Sequence, residues 1–431
     1  MAAETTTIDE LEEFRQRARS WLADNMPKTA GTRRPGADPY EGRLSDEERV
    51  ARARMLQRTM FDGGFAGLVF PKEYGGQGLT PAHQRVFAEE TAGYEMPLWL
   101  NMSTLAILAP TLLEFGTEEQ KRRHIPAILR GDEFWAQLLS EPTGGSDLAG
   151  AVTRATRDGD VWILSGSKIW SSGAHLRDYG MCLARTDWDV PKHRGLSMFI
   201  VKLRQPGVEV VPIKQVNGST EFCQEFFDDV ALPADALIGE VNDGWTVASR
   251  MLIFERNAVG GGSAFAGGAR GGSRRGTRKR GVEHDLLDLA RATGQADNAH
   301  ARQLVAEAHM RSTVRGQLVQ RITAGIRTQK MPGPAASMLK LMTSTTSVRL
   351  TTIGLELAHT DGVTWKKGET NASRYGEQFL SRQTICLGGG TNEMQRNIIS
   401  ERVLGMPRED AGDRDVPFSQ VRTNRIQTRR G

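Results

Sequence analysis

The sequence predicts a mostly α-helical chain with a central β-domain. Three observations carry this. Helical apolar periodicity runs through the first third. Between about 136 and 240 it gives way to short apolar or β-branched runs separated by Gly/Asp/Pro turns. After Gly244 the long helical periodicity returns. At 431 residues the chain is too long for one simple core, so two or three packed domains are expected.

The N-terminal region (1–135) opens without an apolar signal core. Thr7 and Glu10 fit a capping box, in which each side chain satisfies the other residue's free backbone N–H, and Leu11, Phe14, Trp21 and Leu22 then share one helix face. Ser45 and Glu48 make a second box, and that helix should stop near Gly63-Gly64. FPKEYGGQGL (70–79) is turn-rich, and FGTEEQKRRHIPAIL (115–129) is another helical pattern, interrupted at Pro126. In the middle region (136–243), VWIL (161–164), LSMFIVKL (196–203) and VEVVPI (208–213) read as strands, with Arg157-Asp158-Gly159-Asp160 as a turn. In the C-terminal region (244–409), Met338, Leu341, Thr345, Val348, Thr352 and Leu355 predict a helix with that face buried. Leu304, Ala308, Val314, Leu318 and Ile322 predict another, giving an antiparallel bundle. The tail, 410–431, is polar and basic and is expected to fray.

Hydrophobic content of 39% and charged content of 25% are those of a soluble globular protein, and no apolar run approaches the roughly 20 residues that span a bilayer. The net charge of +4 is misleading, because residues 262–281 alone carry six Arg/Lys and no acid. Such a Gly/Arg-rich segment is a candidate nucleic-acid arm, but its only aromatic, Phe265, precedes the arginines. A flexible solvated insertion is the preferred account, and nucleic acid is not an expected partner. Three well-separated cysteines, Cys182, Cys223 and Cys386, suit a reducing compartment, so a cytoplasmic location is expected. The eight histidines lack metal-ligand spacing, and no metal is expected. There is no G-x-G-x-x-G fingerprint, Walker loop or G-x-S-x-G elbow.

Two segments point to chemistry: LLSEPTGGSDLAGAVTRATRDGDVWILSGSKIWSSGA (138–174) and GGGTNEMQRNIISERVLGMP (388–407). Both resemble signature regions of the acyl-CoA dehydrogenase family, and PKEYGGQGL and GTEEQKRRHIPAILRGDEF stand at matching places. The resemblance covers about 10–408, broken mainly at 262–281. It implies an N-terminal helical domain, a middle β-barrel domain and a C-terminal four-helix bundle. It also implies bound FAD, a tetramer, and oxidation of an acyl-CoA to its trans-2-enoyl-CoA as in fatty-acid β-oxidation, with electrons passed to an electron-transfer flavoprotein.

That reaction needs a base for the α-proton, polarisation of the thioester carbonyl, and a hydride acceptor that no side chain provides. By the resemblance, Leu139, Ser140, Ser146, Trp170, Ser171 and Ser172 line the flavin, with Thr391 and Glu393 also at the cofactor. Ser146, Arg256 and Gly390 are assigned to substrate; Arg256 reads equally as a contact to the CoA chain or to a neighbouring acid. Glu141 and Pro142 belong to the signature as structural residues. Many members carry their base just before the Gly-Thr of the second signature, but here Gly389 stands there. A second group, resembling isovaleryl- and long-chain-type enzymes, takes its glutamate from an earlier helix, which here reads GWTVASRMLIFERNAVGG (244–261) and supplies Glu255. Burial beside Met251–Phe254 would raise its pKa toward the useful range. The N–H of Gly389 is a candidate donor to the thioester carbonyl, in a turn that Thr391 ends as N-cap of the next helix.

Two stretches depart from the family. Its Arg-x-x-Phe-Gly motif is matched only by Arg291-Ala-Thr-Gly-Gln, and its Gly-Gly-Asn-Gly loop is replaced by His359-Thr-Asp-Gly362. Homotetramer, dimer of dimers and mixed tetramer with a related chain all remain open, as do an oxidase that passes electrons to oxygen and a non-catalytic FAD-binding subunit. The acyl group is not legible: Phe65, Trp135 and Gln137 give no guide to it.

Overall fold

The computed structural model describes residues 7–29, 44–259, 263–265, 282–364 and 373–421. These fall into two compact units. The first takes the described residues of Met1–Lys214, Thr220–Thr277 and Ala411–Gly431; the second takes those of Gln215–Ser219 and Arg278–Asp410.

The first unit begins with helices α1 (Ile8–Asn25), α2 (Asp46–Asp62) and α3 (Pro81–Glu90). Both expected capping boxes are formed, and Thr117 with Gln120 makes a further one ahead of α6 (Glu118–Arg130). Phe14 and Leu22 are buried, and Leu11 and Trp21 pack beside them on Leu56, Met60 and Phe87. α2 ends at Gly63, where a Cβ would lie 2.3 Å from the Trp21 ring, so only glycine fits. α6 is not interrupted at Pro126. The missing N–H removes one helical bond, but Ile125, Ile128 and Leu129 are fully buried and hold the helix through the proline.

α4 (Leu98–Ser103) runs through a π-helical turn, Thr104–Leu108, into α5 (Ala109–Phe115). Contrary to the sequence expectation, this 18-residue stretch is long and apolar enough to cross a membrane, the one such helix among the described residues. It is 61% buried inside the protein, so core packing accounts for its composition.

Eight strands form one sheet: β1 (Trp135–Leu138), β2 (Arg154–Asp158), β3 (Val161–Ser172), β4 (Tyr179–Arg185), β5 (Leu196–Lys202), β6 (Val208–Pro212), β7 (Phe222–Pro233) and β8 (Leu237–Ile238). Their order is β6-β7-β3-β2-β4-β5-β8, with β1 added parallel to β4. The predicted turn closes the β2–β3 hairpin, with Gly159 at φ 55°. β3 extends well past VWIL into the polar SGSKIWSS, and its ladder with β7 shifts register at Leu164/Gly166 and at Ile169/Ser171. One sheet face packs Trp135, Leu139, Met181 and Met198 against Leu105, Leu108 and Leu112, and against Val247, Ala248 and Met251 of α7 (Gly244–Val259). The other buries Leu138, Trp162, Leu164, Phe199 and Leu232.

Of the Gly/Arg-rich stretch, Ser263–Phe265 is described. Phe265 does not stand in solvent but lies 5.0 Å from the Phe70 ring and 6.1 Å from that of Phe254. The expected flexibility of the remainder concerns residues outside those described. The tail also differs from expectation. Residues 411–421 pack on the first unit with Phe418 only 2% exposed, while 422–431 lie outside the described residues.

The second unit is helical: α8 (Val282–Ala292), α9 (Ala299–Arg327), α10 (Ala336–Ala358), α11 (Ser373–Ser381), α12 (Thr384–Leu387) and α13 (Asn392–Arg402). Its core joins Leu286, Leu304, Ala308, Leu350, Ile353, Leu357 and Tyr375. The buried stripe of α10 is Thr346, Leu350, Ile353 and Leu357, whereas Met338, Leu341, Thr345, Val348, Thr352 and Leu355 are half-buried. Two neighbouring stripes share the same spacing, and the core takes the one centred on Leu350 and Ile353. On α9, Leu304, Ala308 and Ile322 are buried as expected, but Leu318 is half-buried and Val314 is exposed.

Candidate active site

The first signature becomes a loop pinned from inside. Glu141 is buried, accepting the Val152 N–H at 2.6 Å, the Thr153 N–H at 2.9 Å and the Lys168 ammonium at 2.8 Å. Lys168 Nζ, itself fully buried on β3, also donates to Leu139 O at 3.1 Å. Burial pushes the Glu141 carboxyl up, but the charge and hydrogen bond of Lys168 and the two amides more than reverse this, leaving it below the usual carboxylate range. The Ile169 N–H donates to Ser140 O at 2.9 Å, so Leu139 and Ser140 sit against the end of β3. Ser146 is exposed farther along the loop.

The end of β3 carries Trp170, Ser171 and Ser172. Trp170 has φ 69°, a left-handed conformation rare for a bulky side chain, at the second register shift of the β3–β7 ladder. Its indole is 56% exposed, edge-on to Phe222 at 6.0 Å. The bulge sends Ser171 inward, where its hydroxyl donates to Glu225 of β7, and leaves Ser172 exposed. Burial pushes the Glu225 carboxyl up to about 7, and its second oxygen has no hydrogen-bond partner among the described residues.

Glu255 lies on α7, half-buried, and its Oε2 accepts a 3.2 Å hydrogen bond from Gln137 Nε2 of β1. The apolar face of α7, through Val247, Ala248, Met251 and Ala258, is docked in the core and fixes the helix. Leu252 and Phe254 are partly buried against the same core, and Arg256 is exposed. Glu255 is thereby tied to a residue two positions before Leu139.

In the second unit, Gly389 and Gly390 have φ of 69° and 86°, and Thr391 caps α13 by accepting the Met394 N–H at 3.2 Å. Buried Gln395 donates to Gly389 O at 3.2 Å and Gly390 O at 3.1 Å, holding the turn from behind. A Cβ at Gly390 would stand 2.7 Å from the Gln395 amide, so the turn requires glycine twice over. Glu393 is exposed in the first turn of α13, 3.2 Å from Arg396. The two departing stretches meet each other: His359 Nε2 pairs with Gln295 Oε1 at 2.7 Å, and Gln295 Nε2 donates to Leu357 O at 2.7 Å.

The expected residues therefore gather in two groups: Leu139, Ser140, Trp170, Ser171 and Ser172 with Glu255 in the first unit, and Gly389, Gly390, Thr391 and Glu393 in the second. Sequence reasoning missed Gln137, Lys168, Glu225 and Gln395. Lys168 and Gln395 were visible as parts of the two signatures. Gln137 and Glu225, single polar residues within strands, gave no signal.

With this geometry in view, the comparisons define the class. Family models for the acyl-CoA dehydrogenase N-terminal, middle and C-terminal domains match residues 8–132, 136–230 and 242–404. The chain is 36% identical over 417 residues to acyl-CoA dehydrogenase IpdE1 of Mycobacterium tuberculosis, covering 94% of this chain and 100% of that one. It is 34% identical over 356 residues to acyl-CoA dehydrogenase FadE34 of the same organism, covering 82% of this chain and 46% of that one. Among solved structures, the Tcur3481-Tcur3483 steroid ACAD aligns with a TM-score of 0.70 at 28% identity, over 94% of this chain and 99% of that one. The ChsE4-ChsE5 complex from Mycobacterium tuberculosis aligns with a TM-score of 0.69 at 26% identity, over 94% and 100%. This chain belongs to the acyl-CoA dehydrogenase family and is an acyl-CoA dehydrogenase.

Proposed function

We propose that the chain is an FAD-dependent enzyme that removes the α- and β-hydrogens of a ring-bearing acyl-CoA, with Glu255 as the base. The observation that carries this is the Gln137–Glu255 hydrogen bond, which aims the carboxylate from α7 toward β1 while Gly389 occupies the alternative base position. Gln137 holds Oε2, and fixing one oxygen orients the carboxylate for transfer of the α-proton. FAD, when bound, supplies the hydride acceptor.

The residues fit a flavin. Trp170 presents a broad exposed ring in a conformation it would not adopt without a tertiary reason, and Ser172, two residues on, is also exposed. Leu139 and Ser140 hold their places through Lys168 and Ile169. The ring-bearing substrate is supported by the steroid ACAD among the similar structures and by 28% identity over 348 residues to a cyclohexane-1-carbonyl-CoA dehydrogenase of Geobacter metallireducens. An electron-transfer flavoprotein is the proposed acceptor. Cys182 and Cys223, buried and unpaired, support a reducing, cytoplasmic setting. The proposed assembly is a tetramer, of identical chains or mixed with a related one, as the two-protein names of the similar structures suggest.

Anaerobic titration of the flavin-loaded protein with steroid-type, cyclohexyl and straight-chain acyl-CoAs tests this. Bleaching of the visible band by ring-bearing substrates is expected, with a loss of at least roughly 10²-fold in rate for Glu255→Gln. Full-rate bleaching in that variant would remove Glu255 as base. A bound flavin that no acyl-CoA bleaches would favour the non-catalytic subunit, and peroxide release on turnover in air would favour the oxidase.

A further inference from the structure

The C-terminal segment enters none of the chemistry above, yet it reaches the first signature loop. Arg185, at the end of β4, is fully buried, and its guanidinium donates to Ala149 O at 2.6 Å, Ala151 O at 3.0 Å and Lys192 O at 3.1 Å. Its own N–H donates to Thr153 O at 2.7 Å. One arginine thus anchors the backbone whose next amides, Val152 and Thr153, bind Glu141. The face of that guanidinium is covered from the far end of the chain: its carbon lies 3.6 Å from the centroid of the Phe418 ring. Trp188 sits beside both, with ring centroids 5.5 Å from Phe418. Lys192 repeats the connection with charge, bridging Asp147 of the loop at 3.1 Å and Asp413 of the tail at 3.2 Å. Backbone bonds seat the tail on the 187–194 turn, from Phe418 N to Val190 O at 2.9 Å and from Ser419 N to Trp188 O at 2.7 Å.

We propose that residues 411–421 form a strap that sets the position of the 139–153 loop, with Phe418 and Asp413 as positioning residues acting through Arg185 and Lys192. A tail with no such task would not place its buried aromatic on the arginine that holds the Ala149 and Ala151 carbonyls of the loop. The Arg185 guanidinium is fully buried, and an aromatic face laid against a desolvated cation stabilises its charge. The consequence for cofactor retention rests on the proposal that this loop walls the flavin.

The experiment compares full-length wild type with Phe418→Leu, Phe418→Tyr and Asp413→Asn. It reads amide hydrogen exchange in the flavin-free protein and FAD dissociation by fluorescence. Phe418→Leu keeps apolar volume and loses the aromatic face. It is expected to raise exchange at Gly150–Thr153 by roughly tenfold, in line with a desolvated cation–π contact, and to weaken FAD retention similarly. Turnover at saturating FAD should stay within about twofold, because Glu255 and Gln137 are untouched. Phe418→Tyr should restore both readouts. Wild-type exchange at Gly150–Thr153 in Phe418→Leu would overturn the strap, as would a rise spread evenly over the whole unit, which marks general destabilisation. Should Phe418→Leu fail to fold, Asp413→Asn reads the same amides, and unchanged exchange there overturns the proposal. A wild type that binds no FAD would refute the flavin reading instead, leaving the exchange result to decide the strap.

Discussion

At the scale of single residues, the site is governed by polar side chains with few choices. Glu255 was legible because a motif locates it, whereas Gln137, which orients it, is one amide in a four-residue strand and carries no pattern of its own. Glu225 is the sharper case. Nothing in FCQEFFDD marks one acid as buried, but strand pairing sets it opposite Lys168 and beneath Ser171. Burial lifts its carboxyl to about 7, so the native chain keeps a proton that the unfolded chain releases above the ordinary glutamate range. Stability should therefore fall as pH rises from about 4.5 to about 7, by on the order of 2–3 kcal/mol at about 1.4 kcal/mol per pKa unit. Glu225→Gln keeps an acceptor for Ser171 and cannot ionise. Urea denaturation at pH 5 and pH 8 should show the wild type losing more stability between them than the variant; equal losses would mean that Glu225 is not the group responsible.

At the scale of elements, what the sequence disclosed is local. Thr7/Glu10 and Ser45/Glu48 announce helix starts because the cap lies within three residues, and Gly159 announces a hairpin for the same reason. Partner-dependent features stayed hidden. The outer half of β3 is polar and becomes a strand only because β7 pairs with it, and the buried stripe of α10 is chosen by its neighbours from two equivalent ones. Phe418 is the lone aromatic of a polar tail, so periodicity had nothing to detect. The first signature loop depends on such a partner, since Lys168 of β3 neutralises Glu141 inside it. Lys168→Met would leave a buried carboxylate without its counter-charge, at a cost of about 3–5 kcal/mol. Chemical denaturation at pH 7 should show that loss, and adding Glu141→Gln should recover part of it, because the unpaired charge is then gone. A single variant as stable as wild type would contradict the pairing. Acidification tests the same element. Glu141 is held below the usual range, so its contribution is present at neutral pH and is lost as pH falls through its lowered value.

At the scale of the whole molecule, the helical–β–helical order was legible from changes in apolar period alone, while the surfaces by which chains associate were not. The second unit shows why. Met310, Val314 and Val319 are exposed on α9, and the stripe from Met338 to Leu355 on α10 is only half-buried. The sequence assigned both Val314 and that stripe to an internal core, since periodicity reports an apolar face without saying which surface covers it. Monomeric proteins seldom leave large apolar patches open, so helices that remain partly bare after folding call for association. Sedimentation velocity on the 47.4 kDa chain at micromolar concentration should therefore give a mass above that of one chain, and that of four if the proposed tetramer forms. Val314→Glu, a charge placed on an exposed position, should lower that mass while leaving the circular dichroism spectrum unchanged. A wild-type chain that sediments as a monomer would reject self-assembly. The same apolar faces would then require a different chain to cover them.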